Sequence, residues 1–294
     1  MANFLPLNAV SNVIIVSGEI GTPNETWKGP TIPVVLQRQS VPSLETGVLD
    51  DYATKIENRT FSDYCKPYPD PPFEIPAPAN LTLQIRLGNV LSEGQSSIVF
   101  KCECFIPYGN ETLEYIIPPM VVKLAKRYKS DDVKKEAIMY EGIKCLQGSS
   151  IPRCYGFFQV RALEFFDFGP MSILLLEELG GLLTLDQPVT DSAKSDIEGL
   201  CSDLAHLRIV HDDMGYQNIL STLSLEQGGL PSLPSPISGR TYGWRLAGFN
   251  GAFRTSTTLE NVQSFYDYHL PGVLENVYKP FEDVEFLGLD RWIN

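Results

Sequence analysis

The chain has 294 residues, of which 43% are hydrophobic and 20% are charged, so it is long enough to bury a sizeable core as a globular protein. Its formal net charge of −13 argues against nucleic acids and membrane surfaces as partners, because both are bound through basic patches. The N-terminal sequence predicts neither a signal peptide nor a transmembrane helix, and the six cysteines lack zinc-type spacing, which together predict a cytoplasmic protein with reduced thiols.

Residues 1–80 form a segment with few periodic patterns. The apolar residues at 12–16 predict one strand. The proline-dense stretch 66–78 excludes a helix or a central strand and predicts an extended linker. We expect this N-terminal extension to pack partly on the domain that follows, and we identify no chemistry in it.

Two strands with alternating apolar residues follow, separated by the turn L-S-E-G-Q-S-S-I-V-F at residues 91–100. A small-residue turn between two strands is the layout of a loop that covers nucleotide phosphates with backbone N–H groups. Gly94, Ser97 and Val99 are the candidate nucleotide-binding residues of this turn. An ordinary hairpin is the alternative interpretation.

Lys123 stands among apolar neighbours in a strand predicted over residues 115–125. A lysine in such a strand is usually an edge residue that reaches solvent. A helix predicted over residues 133–146 follows, however, and it carries two candidate acidic partners for the lysine, Glu136 and Glu141.

Two further strands are predicted at 151–160 and 172–180, and a helix at 190–207. The second strand ends in two acidic residues and a glycine, which resembles a hinge segment whose backbone holds an adenine ring. Glu177, Glu178 and Leu179 are the candidate residues of this hinge.

Residues 207–220, L-R-I-V-H-D-D-M-G-Y-Q-N-I-L, contain the pattern H-x-D-x-x-x-x-N. In a phosphoryl-transfer site a carboxylate such as Asp213 takes the proton of a hydroxyl, and an amide such as Asn218 holds a metal ion. His211 is expected to have a structural role in this loop, and Asp212 to be solvated.

In this order, these segments resemble the protein-kinase-like fold, and specifically a group of fungal protein-kinase-like proteins that share features with protein kinases and aminoglycoside-type phosphotransferases. The resemblance covers about residues 80–255. It rests on the stretches V-V-K-L-A, E-A-I-M-Y, L-Q-G-S-S-I-P-R-C-Y-G-F-F, L-L-L-E-E-L-G, V-H-D-D-M-G-Y-Q-N-I-L and R-L-A-G-F-N-G-A.

The resemblance implies an α+β, two-lobed protein-kinase-like fold with a β-rich N-lobe and a short, truncated helical C-lobe. The implied domains are 1–80 for the extension and Pro-rich linker, 81–180 for the N-lobe to the hinge, and 181–294 for the shortened C-lobe, closed by a helix at 281–294. Asp213 and Lys123 would be catalytic, with Glu136 as the preferred partner of Lys123. The implied nucleotide-binding residues are Gly94, Ser97, Val99, Lys123, Glu136, Glu177, Leu179 and Asn218.

The metal site implied by the resemblance is incomplete. In R-L-A-G-F-N-G-A, Gly248 stands where an aspartate would bind magnesium, which leaves Asn218 as the one expected metal ligand. Magnesium supplies much of the charge neutralisation in phosphoryl transfer, so its loss slows the reaction by orders of magnitude. We therefore expect ATP as the candidate ligand and a degraded Mg²⁺ site.

The sequence accordingly predicts a pseudokinase that acts by binding a nucleotide or a protein partner. One alternative is a weak or metal-independent phosphotransferase that uses Lys123 and Asp213. The other is a kinase fold reused for small-molecule chemistry in fungal specialised metabolism, in which Asp213, His211 or Asp212 would be the acid–base group.

Overall fold

The computed structural model describes residues 4–18, 33–42, 80–107, 115–160, 171–184, 188–255 and 257–274. None of the helices within these ranges is long and apolar enough to cross a membrane. The longer strands are β1 (Val10–Ser17), β2 (Val34–Arg38), β3 (Leu81–Glu93), β4 (Ser97–Phe105), β5 (Met120–Ala125), β6 (Cys154–Val160) and β7 (Ser172–Glu177). The short strands are β8 (Ile209–Val210), β9 (Ile219–Ser221), β10 (Trp244–Leu246) and β11 (Phe253–Arg254), and the α-helices are α1 (Ser130–Gly142), α2 (Asp191–His206) and α3 (Leu259–Leu274).

Seven strands close into a barrel in the order β1-β2-β6-β7-β5-β4-β3. β1 completes the barrel, because it pairs antiparallel with β2 and parallel with β3. Apolar side chains from all seven strands fill the interior, among them Val13, Leu83, Val122 and Leu175. Closure gives every strand two neighbours, which satisfies backbone groups that an open sheet would expose.

This architecture overturns the expected α+β, two-lobed protein-kinase-like fold with a β-rich N-lobe and a truncated helical C-lobe. In the described part of the chain a closed seven-stranded barrel is the dominant element, accompanied by three α-helices. The expectation was wrong because β1 and β2 lie in the segment 1–80, where local patterns gave no indication of pairing with strands far along the chain. Such long-range pairing depends on tertiary contacts rather than on local propensity.

Several element predictions are confirmed. The strand predicted at 12–16 is part of β1, and the helix predicted at 190–207 is α2, whose first turn is capped by the Thr190 side chain accepting a 3.2 Å hydrogen bond from Ala193 N. The helix predicted at 133–146 is present as α1 followed by a 3-10 turn at Lys144–Leu146. The proline-dense stretch 66–78 and the closing helix expected at 281–294 lie outside the described residues.

A second core lies outside the barrel, between its outer face, the three helices and the short strands. β5 is buried on both sides, since Val122 and Leu124 point into the barrel while Val121 belongs to this second core. The stretch 228–239 is hydrogen-bonded to this part of the molecule. Arg153 Nη2 donates to Pro231 O at 2.7 Å, and Leu233 N donates to Gly148 O at 2.8 Å.

Candidate functional site

Four short strands hold two loops side by side. β8 pairs with β11, and β9 pairs with β10. The loop between β8 and β9 (residues 211–218) therefore faces the loop between β10 and β11 (residues 247–252). Ala247 N donates to Asn218 O at 2.9 Å and so joins the two loops directly. This pairing explains how residues 30 positions apart come to form one site.

Asp213 and Asn218 are brought together by the first loop. Asn218 Nδ2 donates to Asp213 O at 2.7 Å and lies 3.2 Å from Asp213 Oδ2. The Asp213 side chain is exposed, whereas Asn218 is half-buried. The amide of Asn218 therefore orients the aspartate and leaves its carboxylate accessible to a ligand.

Gly248 lies against Asn218 in the second loop. Its φ is +78°, a left-handed conformation that side chains other than glycine rarely adopt, and a Cβ added there would collide with Asn218 Oδ1. The structure thus places Gly248 beside the expected metal ligand. A carboxylate-bearing residue there would be strained by the left-handed φ and would have to displace the Asn218 side chain.

His211 begins the first loop and is fully buried. Its Nε2 lies 2.9 Å from Ala247 O, which favours the tautomer with hydrogen on Nε2, and its backbone N donates to Tyr266 Oη at 3.2 Å. Burial lowers the pKa of His211 from its usual value, and the Ala247 carbonyl and the charges of Asp213 and Glu136 partly oppose this. The structural role expected for this histidine agrees with these contacts.

Phe249 connects the first loop to α1. Its ring contacts His211 with centroids 4.9 Å apart and Tyr140 of α1 with centroids 5.5 Å apart, both edge to face. Tyr140 is one helical turn after Glu136. The loops at 211–218 and 247–252 are thereby packed against the helix that carries Glu136.

Lys123 and Glu136 form a buried ion pair, with Nζ and Oε2 2.5 Å apart. Lys123 lies on the outer face of the barrel, where α1 packs, and it is 9% exposed, while Glu136 is 1% exposed. The competing candidate, Glu141, pairs instead with Lys144 at 2.9 Å. Glu136 Oε1 has no hydrogen-bond partner among the described residues. Removing either partner would leave a charge buried without compensation, which typically costs about 3–5 kcal/mol.

The turn between β3 and β4 is a tight hairpin. Gly94 N donates to Ser97 O at 2.9 Å, so this amide is used within the turn itself. Ser97 is buried, and Val99 lies directly opposite Lys123 in the pairing of β4 with β5. The structure therefore brings Val99 next to Lys123, whereas the Gly94 amide is not available to a phosphate.

The segment after β7 has one unused backbone amide. The side chain of Glu177 is engaged by Arg153, whose Nη1 lies 2.8 Å from Oε1. Glu178 N donates to Pro119 O and Gly180 N to Ser221 O, but Leu179 N between them has no partner in the described ranges. The next residues pair with β9, because Leu183 N donates to Ile219 O at 2.8 Å. Leu179 is thus held beside the strand that follows Asn218.

Asp212 was expected to be solvated, and it is exposed in the structure. Its side chain keeps solvent-accessible surface, yet neighbouring protein partly desolvates it. This desolvation, together with the charge of Asp213, raises the pKa of Asp212 to about 6. Its carboxylate rests against Gly251, where an added Cβ would meet Oδ1. The adjacent pair Asp212–Asp213 was the available signal, since neighbouring carboxylates disfavour each other's ionisation.

The surroundings of Asn218 do not fit the magnesium site that the resemblance implied. Asn218 Nδ2 is directed at Asp213, and its Oδ1 is directed at the backbone of Gly248. Within the ranges that the structure describes, no group of three His, Cys, Asp or Glu residues is placed to hold a metal ion. We therefore derive no chemical step through a metal.

Comparison of the sequence with models of protein families gave no match. Comparison with curated proteins likewise gave no significant match. The site is accordingly interpreted from its geometry, and the resemblance to fungal protein-kinase-like proteins stays a prediction.

Proposed function

We propose that this protein binds a nucleotide or another phosphate-bearing small molecule at a polar site defined by Lys123, Glu136, Asp213 and Asn218, and that it acts through this binding. The observation that carries the proposal is the lysine at 9% exposure, held by a fully buried glutamate. A lysine ammonium is strongly hydrated and loses rotamer freedom on burial. Burying Lys123 beside a single carboxylate is therefore costly. We expect such an arrangement in a protein where the lysine also binds an anionic ligand.

The surroundings of the ion pair support the same proposal. Phe249 contacts both His211 of the exposed loop and Tyr140 of α1, so the loop packs against the helix that carries Glu136. The unused amide of Leu179, beside β9, offers a donor to the edge of a base. Neither the Gly94 turn nor a metal site adds to phosphate binding, and for this reason the proposal is binding rather than metal-assisted transfer.

Acid–base chemistry on a small molecule is a second candidate function, supported by Asp212. A carboxyl with a pKa of about 6 exists in both protonation states near neutral pH, which suits a proton donor or acceptor. Asp213, two residues beyond the buried His211, is the accessible carboxylate next to it. A metal-independent phosphotransferase would also use Asp213, as its base. One assay of Asp213-dependent turnover therefore addresses both enzymatic functions.

The proposal is tested by calorimetric titration of ATP, ADP and adenosine, with Mg²⁺ and with EDTA. We expect saturable ATP binding that does not require Mg²⁺ and is weakened about 10- to 100-fold when Lys123 is replaced by Met, because a charge-assisted hydrogen bond contributes about 1.5–3 kcal/mol. Absence of ATP binding to the wild type would overturn the proposal.

The single variant also destabilises the fold, so its control is the double variant Lys123→Met/Glu136→Met. Replacing both members of a buried pair with apolar residues of similar volume is often neutral for stability. We expect a melting temperature near that of the wild type together with lost ATP binding. Lys135 is on the same helix as Glu136, and its side chain is 68% exposed. The control variant Lys135→Met should change neither the melting temperature nor ATP binding. Turnover of ATP or of a small molecule that depends on Asp213 or Asp212 would favour the enzymatic alternatives.

A further inference from the structure

A second concave surface lies between the N-terminal strands and α1, and it shares no residue with the polar site. We name it the N-terminal groove. It has a volume of about 870 Å³ and is lined by β1, β2, the start of β6 and the end of α1. A cavity of this size is in the range of small-molecule sites. Its N-terminal lining comes from residues 7–12 and 37–41, in a segment that showed no chemistry in the sequence.

Arg38 at the end of β2 is one of three charged residues that line this groove, with Glu141 and Lys144. Its Nε donates to Val10 O at 2.6 Å, and its Nη2 donates to Leu7 O at 3.2 Å and to Tyr155 O. These three bonds hold the guanidinium in one orientation. Its Nη1 has no hydrogen-bond partner among the described residues, so two N–H donors of a fixed cation are unused.

The backbone of Gly156 makes room for this guanidinium. Gly156 has φ +142°, and a Cβ there would collide with the Cζ and Nη atoms of Arg38. The other face of the guanidinium lies 5.2 Å from the ring centroid of Phe158. The groove is thus built around the arginine, which is positioned before any ligand arrives.

The charge of Arg38 is not balanced by a carboxylate. No described acidic residue lies within ion-pair distance of it, and the carboxylate that lines the groove with it is that of Glu141. Glu141 itself pairs with Lys144 at 2.9 Å. Arg38 and Lys144 against Glu141 leave one excess positive charge in the groove, in a chain whose net charge is −13.

The rest of the lining is rich in neutral hydrogen-bonding groups. Asn12, Gln37 and Gln39 contribute amides. Amides recognise hydroxyl, amide and carbonyl groups without demanding a charge. The combination of one fixed guanidinium with Lys144 and several amides is suited to a small carboxylate that carries further hydrogen-bond acceptors.

We propose that the N-terminal groove is a binding site for a small organic carboxylate, whose carboxyl group is received by Arg38 Nη1. Arg38 Nη1 can donate charge-assisted hydrogen bonds to a carboxylate. With only Nη1 unused, the arginine suits a carboxylate better than a phosphate, which presents more charge and more acceptors than this site can satisfy. This proposal is independent of the function proposed for the polar site.

The test is titration of the full chain with succinate at constant ionic strength, followed by calorimetry and by thermal shift, with inorganic phosphate as the comparison anion. We expect saturable succinate binding. Glu141→Gln removes the negative charge of the groove and should tighten binding about threefold, and Lys144→Met should weaken it about threefold, as is typical of partly exposed charges. Lys135→Met, on the same helix but outside the groove, should leave the affinity unchanged.

Arg38→Lys is the direct variant, and it should abolish succinate binding. Because Arg38 also joins three backbone carbonyls, loss of binding in this variant is interpreted together with the Glu141 and Lys144 variants, which leave those bonds intact. Absence of succinate binding to the wild type would overturn the proposal. Equal affinities for phosphate and succinate would also overturn it. The same would follow if Glu141→Gln, Lys144→Met and Lys135→Met changed the succinate affinity to the same extent.

Discussion

Gly248 shows how one residue can exclude a function that its neighbours suggest. Asn218 and Asp213 form the polar loop that the sequence predicted, but the backbone at Gly248 is left-handed and in contact with Asn218. An aspartate substituted there would be strained and would displace the Asn218 amide. The backbone conformation at position 248, and the contact with the Asn218 side chain, therefore both disfavour a carboxylate-bearing residue there.

Replacing Gly248 with Ala tests this at the scale of a residue. We expect a loss of unfolding free energy of about 1–3 kcal/mol, because the substitution combines an unfavourable φ with a steric collision. Gly239→Ala is the matched control, since Gly239 has φ +69° but no atom within 4 Å of an added Cβ. Urea denaturation of both variants gives the unfolding free energy of each. The difference between the two losses separates the cost of the steric collision from the cost of the unfavourable φ. Equal losses would show that the collision with Asn218 has no energetic consequence.

At the scale of elements, β1 and β2 decide the architecture. The alternation of buried and partly exposed residues in β1 places Val13 and Ile15 inside the barrel. β2 then connects β1 to β6 through antiparallel pairing. Without these two strands, β3 and β6 would be exposed edges of an open sheet.

A comparison of two valines tests whether these strands are part of the core. Val13→Asp should destabilise the protein by at least about 3 kcal/mol, because it buries a carboxylate without a partner. Val35→Asp, at a position 50% exposed on β2, should cost about 1 kcal/mol or less. Thermal unfolding followed by circular dichroism gives both values. Similar small losses in the two variants would contradict the closed barrel.

At the scale of the whole molecule, two groups in the loop at 211–218 oppose each other as the pH changes. Burial lowers the pKa of His211 in the folded state, so its contribution to stability is present above about pH 6.5 and is lost as the pH falls. The pKa of Asp212 is raised to about 6, so its contribution is present below about pH 3.8 and is lost as the pH rises through 6.

Asp212→Asn should therefore make the protein more stable than the wild type at pH 8, and the difference should shrink toward pH 4.5. The reason is that the variant removes a partly desolvated carboxylate that is ionised only at the higher pH. Melting temperatures across this range provide the measurement, with Glu226→Gln as the control at an exposed carboxylate. A difference that stays constant with pH would contradict the environment assigned to Asp212.

Much of the local structure could be predicted from the sequence, because the forces that form it act between near neighbours. Thr190 caps α2 through contacts within one turn, and the apolar residues at 12–16 are β-branched residues that favour a strand. The residues of the polar loop could also be identified, since Asp213 and Asn218 are five positions apart.

What the sequence by itself determined is most of the barrel strands, the helices α1 and α2, and the composition of the polar loop; β2, the short strands and α3 were not predicted. Only the tertiary structure decided that β1 and β2 close a barrel, that Lys123 pairs with Glu136 rather than Glu141, that Gly248 lies against Asn218, and that Arg38 faces a groove. These are contacts between residues distant in the chain. Their free energy comes from burial and electrostatics that exist only after the chain has folded.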